Sequence, residues 1–577
     1  MSKTPKYDAK VKEILDALKP GERTDPITGE RWTMTERELE IIRMHKVPPC
    51  KYSSLTRQKI MTAHFNSGQW WYNKHAETGK PIITSSHPST GVKVLNDEEW
   101  FDRDFQSINQ EIDFDRSFFD QMYELKLKVP VSATRNFEKP ENSICLASYG
   151  DQNSYFVAAS KSKDTFFSIV ALDTESSNMV YNSQAITNSS HVIHSERIFN
   201  CQFVSESRDC MNSDFIFDCR NCEYCFGATS KRNKKYLWFN EQLTQTEWEK
   251  RRAEVDLGSR QVSTEYKEQY DQLVAKAVWP ENFNEKVENS TGEYLTEVTD
   301  CEMVYFANGG ARNEYHTTWS MGKTENNSFC ANPSGSQYSY LSSAINSCNK
   351  ALFSIWTVRS QNVEYCQDCY DCEDCFACVG LRHKRFCILN KQYSEDEYWD
   401  QVDKIKCAML DSSEYGEPMS GRFTVGYFME SGSVRYFQSD REFGEKIGAH
   451  LFDPNTNDAI GEELMKSMDV TDANNAPDSC DDLDGWVWKV LYDSGYNRRY
   501  AYLPSEVDLY KRLRIAPPVE HHVKRVYDFV QGSNNGVFKD SQCVQCGKKV
   551  MVSTNPKFPN RKIYCKKDYL EYLEKYG

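Results

Sequence analysis

Between residues 150 and 400 the chain falls into short runs in which a polar corner precedes β-branched or aromatic residues. Asn153-Ser-Tyr-Phe-Val-Ala158, Asp164-Thr-Phe-Phe-Ser-Ile-Val170, Asn178-Met-Val-Tyr181 and Ser213-Asp-Phe-Ile-Phe217 are examples, recurring at roughly 10- to 18-residue intervals. Each run reads as a strand entered through a turn. Cys201, Cys210 and Cys219 are nine apart, and Cys330, Cys348 and Cys366 are eighteen apart. A fixed period in a series of short strands predicts a β-solenoid, whose equivalent side chains must stack coil upon coil. A sandwich with irregular loops is the alternative. Helices are predicted after each series, because Thr244-Gln-Thr-Glu247 and Ser394-Glu-Asp-Glu397 have the capping-box pattern of a hydroxyl followed three residues on by Glu. They would close the open end of each stack.

Two duplications organise these elements. Asp218-Cys-Arg-Asn-Cys-Glu-Tyr-Cys-Phe226 lies over Asp368-Cys-Tyr-Asp-Cys-Glu-Asp-Cys-Phe376 at a shift of 150, and the match runs ungapped to Trp248/Tyr398 with eleven identities in 31 positions. The second repeat joins the ends of the chain at a shift of 468. It places Glu40-Ile-Ile-Arg-Met-His-Lys-Val-Pro-Pro49 over Asp508–Pro517, and His75-Ala-Glu-Thr-Gly-Lys80 over Cys543-Val-Gln-Cys-Gly-Lys548. After one inserted residue, Asn96–Trp100 falls on Cys565–Tyr569. The expected class is mixed and β-rich: duplicated solenoid-like or sandwich-like repeats with appended helices, between two zinc-ribbon-like modules. The predicted divisions are an N-terminal module at 1–105, a first β-rich repeat at 140–290, a second at 295–410, a linker region at 411–490 and a basic C-terminal module at 491–577.

Composition sharpens this picture. At 577 residues, 39% hydrophobic and 13% aromatic, the chain is that of an ordered multi-domain protein, and its net charge of −15 disfavours unspecific binding of nucleic acid by the whole molecule. The start, Met1-Ser-Lys-Thr-Pro-Lys6, carries no apolar signal core, and no apolar run has membrane-spanning length. A cytoplasmic protein without membrane contact is expected, with ribosome or virion association as variants. Its 21 cysteines are then reduced thiols, some holding metal and some simply buried. The acceptor pattern at Asn326-Asn-Ser is read as chance.

Metal chemistry concentrates at the C-terminus. Cys543-Val-Gln-Cys546-Gly puts two thiolates on one tight turn, and Cys565-Lys-Lys-Asp568 supplies a second pair. Cys543, Cys546, Cys565 and Asp568 therefore form a candidate closed zinc site of three sulfurs and one oxygen, with His521 or His522 as alternative fourth ligands. A closed shell leaves no place for a catalytic water. The corresponding N-terminal positions hold His75, Thr78, Asn96 and Glu99, which make no convincing site. That copy is expected to have lost its metal and to be held by Trp70, Trp71, Tyr72 and Trp100, with His75 an ordinary surface histidine. Residues 511–577 carry fourteen Lys or Arg against six Asp or Glu. Lys548, Lys549, Arg561, Lys562, Lys566 and Lys567 are candidate phosphate contacts, joined by Lys557 in a wider set, through which RNA or DNA would bind. A solvated face, or docking onto acidic regions of this chain, is the favoured alternative.

The run Cys366, Cys369, Cys372, Cys375 and Cys378 is a second candidate metal site, although burial explains it better. Its partner repeat stops at Cys225 and has Ala228 where the second has Cys378, and a ligand is not so easily replaced by Ala. A ferredoxin cluster has a different last spacing and a following Pro.

These residues resemble an uncharacterised zinc-ribbon, cysteine-repeat family of uncultured, candidate-phyla bacteria. Its members pair a Cys-x-x-Cys-Gly-Lys ribbon with a middle reading Cys-x-x-Cys-Phe-x-Cys-Val-Gly-Leu. Here that middle runs from Cys372 through Cys375-Phe-Ala-Cys-Val-Gly-Leu381 to Cys387-Ile-Leu-Asn-Lys-Gln-Tyr393, and the ribbon lies at Cys543–Tyr569. The chain departs from the pattern where Asp568 replaces a Cys and where the N-terminal ribbon has none of its cysteines. The resemblance implies an architecture and no reaction.

No phosphate loop, zinc-protease helix, nucleophile elbow or dinucleotide fingerprint is present. Asp453-Pro-Asn-Thr-Asn457 starts like a calcium loop but has Leu464 where a bidentate Glu belongs. The expected function is a non-enzymatic scaffold, stabilised by zinc and docking on protein partners in a cellular or viral assembly. A nucleic-acid- or ribosome-associated factor acting through the basic ribbon is the second reading. An enzyme with its site near 410–500, where Gly485-Trp-Val-Trp488 and Tyr496-Asn-Arg-Arg-Tyr500 cluster aromatics and cations, is a weaker third.

Overall fold

Parallel strands dominate the middle of this mixed, strand-rich protein, whose computed structural model describes residues 2–453 and 468–577. Two ladders occupy that middle. The first runs from Ile144–Leu146 to Lys235–Trp238, and the second from Glu285–Glu288 to Arg385–Ile388. In the first, Ser190 lies opposite Gln202, Gln202 opposite Asp214, and Asp214 opposite Phe226. In the second, Asn349, Gln361, Glu373 and Arg385 follow one another in the same way. Each of these steps is twelve residues, while the first pairings of both ladders, Ile144 with Tyr155 and Glu285 with Thr296, are eleven apart. In the first ladder Asn178–Thr187 pairs with both Ser190–Ile193 and Glu196–Phe199, and the two rows rejoin on Glu223–Thr229. Seven strands thus close into a parallel ring.

A second period of three lies inside the first. Non-glycine residues with φ near +50° recur at Asn188, His191, His194, Arg197, Asn200 and Phe203, and again at Ser347, Lys350, Phe353 and Trp356. A left-handed residue reverses the local bend of an extended chain, so the backbone turns a corner at every third position. The same step places Cys201, Val204, Ser207, Cys210, Ser213 and Ile216 in the interior, all buried. The cysteine spacings of nine and eighteen are therefore multiples of the corner step and not the stacking period. Cys201 in fact lies between Ser189 and Ser213, twelve residues to either side.

The interior takes small side chains because they complete the backbone bonding. Ser189 Oγ donates to the Thr187 carbonyl at 2.8 Å and accepts the Cys201 N–H at 3.1 Å. Ser195 does the same with Ile193 and Ser207. Corner amides that the ladder leaves unpaired are thereby satisfied. Successive steps lengthen to thirteen in the second ladder, from Thr299 to Arg312 past Gly309 and Gly310, and from Arg312 to Glu325 past Gly322.

One interior position is occupied by Glu314, whose oxygens accept from Asn327 Nδ2 at 2.9 Å and Ser320 Oγ at 3.1 Å. Burial pushes its carboxyl up to about 8. A raised folded-state pKa gives stability that is complete below the unfolded value of about 4.3 and is lost as the pH climbs through 8. Glu314→Gln should therefore match the parent near pH 4 and exceed its stability by about 2–4 kcal/mol at pH 9, as read by urea melts at the two pH values.

Both predicted capping boxes form, at Thr244 with Glu247 and at Ser394 with Glu397. The helix Gln245–Ala253 lies against the end of the first ladder, where Trp248 Nε1 donates to the Leu237 carbonyl at 3.1 Å.

The terminal modules repeat at the shift of 468, element by element. Helices Glu36–His45 and Ser54–Ala63 correspond to Pro504–Leu513 and His522–Val530. The hairpin Trp71–Lys74/Pro81–Thr84 corresponds to Phe538–Gln542/Lys549–Ser553. Glu38 and Arg57, fully buried and 2.6 Å apart, recur as Glu506 and Arg525, which meet through the Tyr510 hydroxyl.

The modules dock crosswise. The C-terminal one sits on the first ladder, with the Tyr569 hydroxyl on Asp218 and Trp279 in strand register with Ile563. The N-terminal one sits on the second, where Trp100 meets Tyr370 with ring centroids 5.5 Å apart. Residues 411–453, the first part of the region expected to be a linker, pack closely: Gly432 N–H donates to the Phe65 carbonyl at 2.7 Å, and Glu430 pairs with buried Arg498 at 2.7 Å. Arg498 also covers the Trp71 ring at 4.1 Å, so one of the two aromatic–cation clusters near 500 serves the packing of the N-terminal module. In the Gly485–Trp488 cluster, Trp488 is exposed. Residues 454–467 of the linker region, with most of the rejected calcium-like loop, lie outside the described residues.

Candidate metal centre

The C-terminal hairpin ends in a turn closed by Cys543 N–H on the Lys548 carbonyl and Gly547 N–H on the Cys543 carbonyl, each at 2.9 Å. Gly547, at φ +74°, supplies the left-handed residue this turn requires. Val544 N–H on the Ile563 carbonyl at 2.9 Å ties the turn to the strand Lys562–Tyr564, which leads into the helix Lys566–Tyr576. Cys565 is the N-cap of that helix and Asp568 lies in its first turn, so the two share a helix face.

Cys543 Sγ is 3.0 Å from Asp568 Oδ2, and Cys546 Sγ is 3.8 Å from Cys565 Sγ. The four ligand atoms all lie within 4.8 Å of one another. A tetrahedral ion with bonds of about 2.3 Å to sulfur needs edges of about 3.8 Å, so this group can hold a metal ion. Hydrogen bonding from the thiols, that of Cys543 foremost, holds the Asp568 carboxyl below the usual carboxylate range. Metal binding would displace those thiol protons. Cys543 and Cys565 also belong to one apolar cluster with Phe217, Phe226 and Trp279, so the centre lies at the seam between module and ladder.

In the N-terminal copy one hydrogen bond stands where the C-terminal copy gathers four ligands. His75 Nε2 and Glu99 Oε2, at the positions of Cys543 and Asp568, are 2.5 Å apart. His75 Nδ1 accepts the Thr78 N–H at 3.3 Å, which leaves the ring proton on Nε2 facing Glu99. The expectation of a surface histidine is thus corrected: His75 is 5% exposed and closes its turn. Of the four aromatic residues expected to hold this copy, Trp70, Trp71 and Trp100 are buried and Tyr72 is exposed.

His521 and His522 stand apart from the C-terminal group. His521 donates its N–H to Asp493 at 2.8 Å, and the His522 ring stacks on Phe156 at 4.7 Å. Among the basic residues, Arg561 is corrected as a phosphate contact: it is buried, donates to the Ser553 carbonyl at 2.6 Å and covers the Trp279 ring. Lys557 is paired with Asp271 at 2.5 Å. Lys548, Lys549, Lys562, Lys566 and Lys567 are exposed.

Cys366, Cys369, Cys372, Cys375 and Cys378 form a buried row inside the second ladder. Their thiols donate to backbone carbonyls: Cys366 to Glu364 and Cys375 at 3.5 Å, Cys369 to Cys378 at 3.4 Å, Cys378 to Cys387 at 3.3 Å. Burial pushes Cys369 and Cys378 well above the ordinary thiol range. Among the described residues, the one group that brings three or more potential ligand atoms together is Cys543, Cys546, Cys565 and Asp568.

Sequence reasoning missed two further turns of the same construction. Asp25 accepts from the backbone N–H groups of Ile27, Thr28 and Ser53 at 2.8, 3.1 and 2.7 Å. Asp493, 468 residues on, accepts from Gly495, Tyr496 and His521. The signal was the spacing: Asp25-x-x-Thr-Gly29 matches His75-x-x-Thr-Gly79 and Cys543-x-x-Cys-Gly547.

Comparison of the chain with protein-family models, curated proteins and solved structures finds no match. No helix of the described residues is long and apolar enough to cross a membrane.

Proposed function

We propose that this protein is a non-enzymatic scaffold: two four-sided β-solenoids of three residues per side, clamped crosswise by terminal modules, the last of which is a zinc ribbon. Four corners of three residues account for the twelve-residue register, and the seven-strand ring is then the first solenoid traced through strands that span two sides. The observation that carries the reading is the position of the four-ligand group. All four ligands come from the module, and two of them, Cys543 and Cys565, pack in the apolar cluster that joins it to the first ladder. With three sulfurs and one oxygen about the ion, the chain itself fills a tetrahedral shell, as structural zinc requires. The likeness to the cysteine-repeat, zinc-ribbon family points to the same architecture, and protein partners in a cytoplasmic or viral assembly are what such a scaffold would dock on.

Affinity purification of the full chain from its native cells tests this. Protein partners that resist high salt, together with one zinc per chain, are expected. Recovery of the chain alone at every salt concentration would contradict the scaffold reading.

Five exposed lysines around the knuckle favour a second reading, in which the module also touches RNA or DNA phosphates. Lys566→Glu with Lys567→Glu should then weaken binding about tenfold and flatten its salt dependence, as measured by filter binding between 50 and 200 mM salt. Binding unchanged by both substitutions would remove this reading.

A further inference from the structure

A cleft of about 380 Å³ lies between the first ladder, the helix Arg260–Lys276 and the helix His522–Val530, with Trp279, Lys557 and Phe558 completing its wall. It is distinct from the metal centre. Its volume falls at the small end of ligand pockets, which run from about 300 to 1,000 Å³. Two features define its chemistry.

The first is a stacked aromatic wall. Positions twelve apart on one side of the ladder bring His191 onto Phe203, with ring centroids 4.6 Å apart and planes at 21°. Phe529 meets His191 edge-on, and Trp279 lies 5.7 Å from Phe558. Phe203 stacks in turn on Phe215 at 4.7 Å, so the row presents ring edges to the cleft, and a flat ring entering this space can meet them edge to face, an arrangement that aromatic pairs prefer.

The second is an unbalanced charge. Lys267 Nζ and Lys557 Nζ each lie 2.5 Å from an oxygen of the same carboxylate, Asp271. Two ammonium groups on one carboxylate give this triad one net positive charge. Glu520 and Asp528 share the single ammonium of Lys524, a triad of one net negative charge, and Glu206 accepts from the Tyr294 hydroxyl at 2.9 Å, so the positive charge of the cleft is local to Lys267 and Lys557. Arg525, also on the wall, keeps a buried Nε without a hydrogen-bond partner.

We propose that this cleft binds a planar aromatic anion of one or two rings, the ring against the His191–Phe203 stack and the carboxylate or phosphate between Lys267 and Lys557. Burial lowers Lys267 to about 8, so this ammonium is poorly hydrated and gains from a second anion beside it.

Calorimetric titration of the full chain tests the assignment with two anionic probes, naphthoate and adenosine monophosphate. Naphthylmethanol and cyclohexanecarboxylate are the controls without charge and without aromaticity. At least one anionic probe is expected to bind about tenfold tighter than both controls, which also tells carboxylate from phosphate. Lys557→Gln should weaken that probe about fivefold or more and leave naphthylmethanol unchanged, with a thermal melt like the parent's. Lys267→Gln provides a second reading should the first variant melt early. Binding of neither anion, a neutral probe that binds as tightly, or full affinity in both lysine variants would overturn the proposal.

Discussion

Cys543→Ser is expected to undock residues 538–577 from the first ladder and to cost the chain several kcal/mol. Structural zinc contributes about 10–16 kcal/mol to small peptides that fold only around it. Here an ion's contribution would be shared with the packing of Phe217, Trp279, Ile563 and Tyr569, so a loss of about 3–5 kcal/mol is expected. Hydrogen exchange should report it as faster exchange in 538–577 and in the strand Val278–Pro280, which pairs with Lys562–Tyr564. Chelation of the parent should give the same exchange pattern. Cys375→Ser, at an equally buried thiol within the ladder, should leave metal content unchanged. Undocking by chelator but not by Cys543→Ser would mean that the ion is held elsewhere.

Gly292→Ala is expected to be the most damaging single substitution in the second ladder. Gly292 has φ +148°, and a Cβ built there would meet the Val304 carbonyl oxygen at 2.0 Å and its carbon at 2.9 Å. Those atoms are backbone of the strand Val304–Asn308, whose register begins at the Gly292–Val304 pair. No rotamer relieves such a contact, so the pairing of Gly292–Thr299 with Val304–Asn308 must shift. A loss of about 4 kcal/mol or more is expected in urea melts. Gly547→Ala, also left-handed but with open space around it, should cost only about 1 kcal/mol. Equal losses at the two glycines would show that conformation alone, and not the contact between strands, sets the cost.

Much of this organisation is legible in the sequence. The shift of 150 aligns Glu223–Thr229 with Glu373–Phe376, and the helices at Thr244 and Ser394 start where their capping boxes say. The shift of 468 carries over whole helices and hairpins, because a repeated pattern of turns and buried positions specifies the same local structure twice. The stacking period was not legible from cysteines. Ser, Cys, Val and Ala are interchangeable in a narrow interior, so one residue type samples a twelve-residue register irregularly and leaves multiples of three. His75 was misplaced because its role is a hydrogen bond to Glu99, 24 residues on, which spacing alone does not announce. Arg561 was misread for a similar reason: its charge stood in a basic run, while its side chain serves the Ser553 carbonyl and the Trp279 ring. Asp25 and Asp493 escaped notice because a carboxylate that closes a turn looks like any other turn Asp.

X-ray absorption at the zinc edge of the purified full-length protein tests the account at its centre. It predicts one ion per chain with three sulfur neighbours at about 2.3 Å and one oxygen at about 2.0 Å, the oxygen lost as a ligand in Asp568→Ala. A protein that carries no metal, or an ion bound by fewer than three sulfurs, would contradict it.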